Sequence, residues 1–143
     1  MITPDFDPWK KLKQFDKKMF ESQSSDLSQW PIKLWQVPVV SPFFHRAHLL
    51  IAGDCTAFAC PTFHDKLSRG KVPIICCPES DFDISTKLES ILENNEIDSV
   101  TVVRMDKHCC EDLVASVMRA VKMSHLPIPV QVTCVITDAE EVD

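Results

Sequence analysis

The hydrophobic pattern changes period several times along the chain, and each change predicts a new element. Phe6, Trp9, Leu12, Phe15 and Met19 recur at spacings of three and four, a helical stripe. Lys10, Lys11, Lys13, Lys17 and Lys18 surround it, and Pro8 suits a first helical turn. Residues 21–28 are polar and serine-rich, a linker after an N-terminal unit of 1–29. Residues 30–42 contain three prolines, which keep them out of a helix and away from a central strand. They predict an edge strand or an ordered lead-in to a second unit, residues 30–143.

From residue 47 onward, short apolar runs alternate with helical stripes. Runs at 47–52 (AHLLIA), 72–77 (VPIICC), 99–105 (SVTVVRM) and 130–137 (VQVTCVIT) read as buried strands. Ile84, Leu88, Ile91 and Leu92 form one helical stripe, with Asp83 as its N-cap and Asn94-Asn95 as its stop. Leu113, Val114, Val117, Met118 and Val121 form another, and a shorter helix over 61–68 would be closed by Gly70. Strand–helix alternation at this pitch predicts an α/β fold in three layers. Its sheet would be mainly parallel, with four or five strands, right-handed crossovers and flanking helices, plus the N-terminal helix.

The chain has 143 residues and a formal net charge of −6, which argues against nucleic acid as a partner. No apolar run approaches the roughly 18 residues of a membrane helix, and no N-terminal stretch reads as a signal peptide. The expectation is a cytoplasmic protein with no membrane partner. Only two glycines occur, Gly53 and Gly70, so a glycine-rich phosphate loop is excluded.

Seven cysteines are an odd number, and in a reducing compartment they suggest metal ligands or redox thiols rather than disulfides. Cys55, Cys76, Cys77, Cys109 and Cys110 all fall just at or after the ends of predicted strands. In a parallel sheet those ends share one edge, where open α/β folds place their ligands. Adjacent strand residues face opposite ways, so Cys76 and Cys77 cannot both face the crevice; Cys77, nearer the end, is the better ligand. His64 leaves the same edge. Cys55, His64, Cys77 and one of Cys109 and Cys110 make a tetrahedral donor set. Zinc suits it first, and iron or an iron-sulfur cluster second. Four protein ligands imply a structural site, whereas three plus water would leave it open for chemistry. Asp54 and Arg104 complete the expected cofactor-binding residues, a carboxylate behind the metal and an anion clamp.

Several words of the sequence resemble one family. They are Trp30-Pro31-Ile32, the run AGDCTAFA at 52–59, Phe63-His64, Cys77-Pro78, VVRM at 102–105 and Cys109-Cys110. They are similar to the C-terminal domain of ferredoxin-like iron-sulfur proteins of anaerobes, which carry two four-iron clusters. The resemblance covers roughly residues 28–138. It implies that Asp54, Cys55, His64, Cys77, Arg104 and Cys109-Cys110 are the recurrent polar positions. It also implies a ferredoxin-type or other redox protein as partner. Three departures stand out: Cys76 where the family has glycine, Cys60 where it has an aromatic, and Glu111-Asp112 where it has Gly-Gly. No Cys-x-x-Cys-x-x-Cys-x-x-x-Cys motif occurs, so the ferredoxin part is absent from this chain.

The expected function is a metal-binding accessory domain of a ferredoxin-linked electron-transfer protein. Three readings compete with it. One is a thiol redox enzyme using Cys109 and Cys110. The second is a metallohydrolase or lyase with Asp54 as base. The third is an α/β interaction module whose thiols are passive.

Overall fold

All four apolar runs form strands: β1 (Ala47–Gly53), β2 (Val72–Cys76), β3 (Ile97–Met105) and β4 (Val130–Val135). The structure, a computed structural model, describes residues 24–142. The N-terminal stripe from Phe6 to Met19 lies outside the described residues.

The strands form one sheet in the order β2-β1-β3-β4, parallel throughout. The chain steps from β1 outward to β2, then crosses back over β1 to reach β3. The direction of winding therefore reverses between β1 and β3, the place where such sheets open a crevice at their C-terminal edge. The three-layer α/β expectation is met with four strands. The lead-in adds one parallel bridge outside β2: Leu34 N–H donates to Ile75 O (3.0 Å) and Ile75 N–H to Ile32 O (2.8 Å). Its prolines limit it to this edge contact.

Parallel pairing puts Val72, Ile74 and Cys76, then Leu49, Ile51 and Gly53, then Val100 and Val102 on one face. Two helices cover that face, α2 (Ile84–Asn94) and α3 (Leu113–Ser124). Their inner stripes, Leu88, Ile91 and Leu92 on α2 and Leu113, Val117 and Ala120 on α3, are fully buried. The period of 3.6 read from the sequence thus marks the buried faces. Asp83 caps α2, its carboxylate accepting from the Thr86 N–H (3.2 Å) and hydroxyl (2.7 Å). The Ser85 hydroxyl donates to Ser116 O (2.9 Å), tying α2 to α3.

The opposite face carries Leu50, Ala52, Val103 and Met105, also buried. The short helix expected over 61–68 is a π-helical turn, and a separate short helix that was not expected precedes it. The helix is α1 (Thr56–Ala59) and the π-helical turn is Phe63–Leu67, with Cys60, Pro61 and Thr62 between them. Pro61 has no N–H to continue the α1 hydrogen bonding, which accounts for the break. Gly70 follows with a φ of 75°, a left-handed conformation that glycine adopts without strain. No helix among the described residues is long and apolar enough to cross a membrane.

Candidate functional site

The C-terminal edge of the sheet is built around a missing side chain. Gly53 ends β1, pairs with Cys76 of β2, and stands one step past the Ala52–Val103 pair, level with Arg104 of β3. Cys76, Gly53 and Arg104 therefore form a row across three strands, on the face that α3 covers. After β3 a 3₁₀ turn (His108–Cys110) leads the chain back over this row. A Cβ placed on Gly53 would lie 2.9 Å from Cys110 Sγ, 3.6 Å from Thr56 Cγ2 and 3.8 Å from Leu113 Cδ2. The absent side chain of Gly53 makes the hollow that Cys110 fills. Thr56 holds the turn out of β1 by donating its hydroxyl to Gly53 O (2.8 Å).

This geometry separates the paired cysteines. Cys110 is 6% exposed and points inward, whereas Cys109 is exposed. The Cys110 thiol is pushed above the ordinary range by burial, with a backbone hydrogen bond to Met105 and the Arg104 guanidinium opposing that rise. Cys76, at 0% exposure, is pushed further up by burial, and by Asp81, Asp54 and Cys110 around it. Cys110 thus fills the Gly53 hollow, Cys76 is the partner of Gly53 on the neighbouring strand, and the pKa of each thiol is raised. Arg104 donates its Nε–H to Met105 O (2.9 Å), which holds the guanidinium at the strand end.

Asp54 follows Gly53, its N–H donating to Cys76 O (3.1 Å). Burial pushes its carboxyl up, Lys33 opposes the rise and Asp81 adds to it. Cys77 is half-buried and its N–H donates to Asp81 Oδ2 (2.6 Å).

The expected metal ligands do not meet. Cys55 stands in the turn before α1, exposed to solvent. His64 belongs to the π-helical turn and faces Asp26, with Nδ1 4.0 Å from Asp26 Oδ2 and 3.5 Å from Ser68 Oγ. Zinc needs its donors within about 2.3 Å of one point. Among the described residues no three of His, Cys, Asp and Glu are so placed. The set Cys55, His64, Cys77 and Cys109 or Cys110 therefore does not fit a closed zinc centre. The reason is local: Cys55 stands exposed in the turn straight out of β1, and His64 lies beyond the break at Pro61 in a separate turn that faces Asp26. Cys76, set aside from the sequence-predicted site, is the residue that does join it. Its signal was the two-residue period, since Ile74 faces the core and Cys76 lies two positions on.

A family model for the Rossmann-like domain matches residues 41–142. No curated protein and no solved structure matches the chain. The match covers more than half of the sequence and agrees with the parallel, doubly wound sheet. The chain belongs to the Rossmann-like domain family.

Proposed function

We propose that the chain is a redox accessory domain working beside a ferredoxin-type electron carrier, with Cys76 and Cys110 as its working thiols. The observation that carries this reading is that Cys110 fills the hollow at Gly53, whose strand partner is Cys76, at the edge where the sheet reverses its winding. The resemblance of residues 28–138 to the ferredoxin-associated domain supports the choice of partner. Oxidation would join the two sulfurs, release two protons and pass two electrons to iron-sulfur carriers, one at a time; reduction would reverse each step. Dithiol and disulfide are both neutral, so burial disfavours neither end state. It disfavours only the thiolate between them, which keeps solvent thiols and stray oxidants from reacting quickly.

A second reading, a passive interaction module, draws on the same burial, because buried high-pKa thiols are ordinarily inert. Protein purified without oxygen, assayed for free thiols and metal before and after mild oxidation, separates the readings. The redox reading expects oxidation to remove two thiols from the wild type and none from Cys76→Ser or Cys110→Ser. His64→Ala should behave as the wild type. An unchanged thiol count in the wild type supports the passive module. One zinc per chain, lost in His64→Ala, would overturn both readings.

A further inference from the structure

The two edges of the sheet are finished differently. At the β2 edge the lead-in bridges Ile75, and Pro73 inside β2 has no N–H to offer a further strand. At the other edge β4 ends the strand order, and no strand pairs with its outer side among the described residues. Val100 N–H donates to Pro129 O (3.0 Å) and Asp106 N–H to Val135 O (2.9 Å), so the odd-numbered residues of β4 bond inward to β3. A parallel ladder leaves the residues between them facing out. Val130, Val132, Cys134 and Ile136 therefore turn their N–H and C=O groups away from the sheet. An edge is ordinarily guarded by a charge, a proline or a bulge. None occurs here: Val130–Thr137 holds neither proline nor charge, and its register with β3 is unbroken.

The side chains along this edge are apolar and open. Val130, Val132 and Cys134 lie in register with Val100, Val102 and Arg104, on the face that α3 covers. Val132 is 47% exposed, Ile136 74%, and Cys134 is exposed. On α3, Ser116 O accepts from Ser85 of α2, which fixes the flank that meets α2. Met118, two residues on, is turned by about 200° to the opposite flank, above the β4 side, and is also exposed.

The edge is complementary to itself. Antiparallel pairing about a two-fold axis at Thr133 sets Val130 against Ile136 and Val132 against Cys134, and so engages all four outward residues of each copy. About eight main-chain hydrogen bonds result. A two-fold axis also brings like surface to like, which penalises a charged patch on a chain of net charge −6. From Met123 to Thr137 there is no Asp, Glu, Lys or Arg, so nothing along this edge repels its copy. We propose that β4 joins two copies of this chain edge to edge, so that two four-stranded sheets run into one. The contact lies apart from Cys76 and Cys110 and stands or falls independently of the redox reading.

The test is sedimentation of the full chain at about 100 µM, which should give twice the mass of one chain. Val132→Lys places a charge on each side of the axis at a half-exposed position. It should keep the native circular dichroism and raise the dimer Kd at least about tenfold. Phe58→Lys, far out on α1 at 98% exposure, should leave the dimer intact. Thr133→Cys in a Cys134→Ser background should give a disulfide between copies under mild oxidation, because such partners stand about 4.5 Å apart at Cα. Alkylation of Cys134 relative to Cys55 should be slower at about 100 µM than at about 1 µM, and Val132→Lys should abolish that difference. A monomer at about 100 µM would overturn the proposal, whether β4 is then bare or covered by another part of the chain. So would a dimer that Val132→Lys leaves intact, one that Phe58→Lys dissolves, or one without the Thr133→Cys cross-link.

Discussion

Gly53→Ala tests the architecture of the strand-end hollow with a single methyl group. Non-bonded carbons sit comfortably at about 3.5–4.0 Å, and sulfur needs slightly more room. The new methyl would stand 2.9 Å from Cys110 Sγ, so one of them must move by most of an ångström. Its other neighbours, Thr56 Cγ2 at 3.6 Å and Leu113 Cδ2 at 3.8 Å, are ordinary contacts. Cys110 is enclosed and cannot simply swing into solvent. Overpacking of this kind costs about 1–3 kcal/mol. Replacing a strand glycine returns about 0.5–1 kcal/mol through lost chain entropy. The net expectation is a destabilisation of about 1–2 kcal/mol. In a Cys110→Ala background the clash disappears, and the same substitution should become neutral or stabilising by about 0.5 kcal/mol. Urea unfolding of the wild type, both single variants and the double variant closes the cycle. A coupling of about 2 kcal/mol is expected. Equal cost of Gly53→Ala in both backgrounds, within about 0.5 kcal/mol, would refute the claim that Cys110 fills the Gly53 hollow.

Three further outcomes follow from the same structure. Cys76 and Cys110 are held protonated by burial, so their pKa values lie above those of the unfolded chain. Their contribution is intact below the unfolded thiol range near 8.5 and is lost as pH rises above it, at up to about 1.4 kcal/mol per pH unit for each thiol. Unfolding free energies between pH 7 and 10 should therefore fall more steeply for the wild type than for Cys76→Ala, and matching slopes would contradict the assignment. Alkylation of the reduced native protein, read by mass spectrometry, should mark the exposed Cys55, Cys109 and Cys134 first and reach Cys76 and Cys110 only on unfolding. Leu88→Ala in α2 should cost about 2–5 kcal/mol by chemical denaturation, since the side chain is fully buried between helix and sheet. A cost below about 1 kcal/mol would mean that α2 does not seal that face.

Much of the fold was legible because its central strands β1 and β3 are largely buried on both faces, whereas β4, at the sheet edge, leaves Gln131, Val132 and Cys134 exposed and was found from its branched apolar residues alone. Strands buried on both faces appear as continuous runs of branched apolar residues, and β1, β2, β3 and β4 each begin within two residues of the predicted start. Helices α2 and α3 were equally plain, because Leu88, Ile91 and Leu92, or Leu113 and Val117, mark one face at helical spacing. The β1–β2 connection was less so. Pro61 splits it, and a π-helical turn has no strong apolar period. The edge that bears the candidate site was read from cysteines clustering after strand ends. Its membership was not legible. Nearness to a strand end in sequence does not set side-chain direction, and Cys55 and His64 turn outward. Cys110 is placed by a 3₁₀ turn, whose inward residue no spacing rule singles out. Cys76 was available from alternation with Ile74, but its neighbour Cys77 stood closer to the strand end and took precedence.

The central claim is that Cys76 and Cys110 form a reversible two-electron couple. It is tested most directly by equilibrating the full chain without oxygen in thiol–disulfide buffers of graded potential, trapping free thiols and mapping the products. A Cys77→Ser variant separates the adjacent cysteines in the map. The account predicts a Cys76–Cys110 disulfide that forms and disappears with one two-electron midpoint in the folded protein. Both thiols remaining reduced at every potential until the protein unfolds would contradict it.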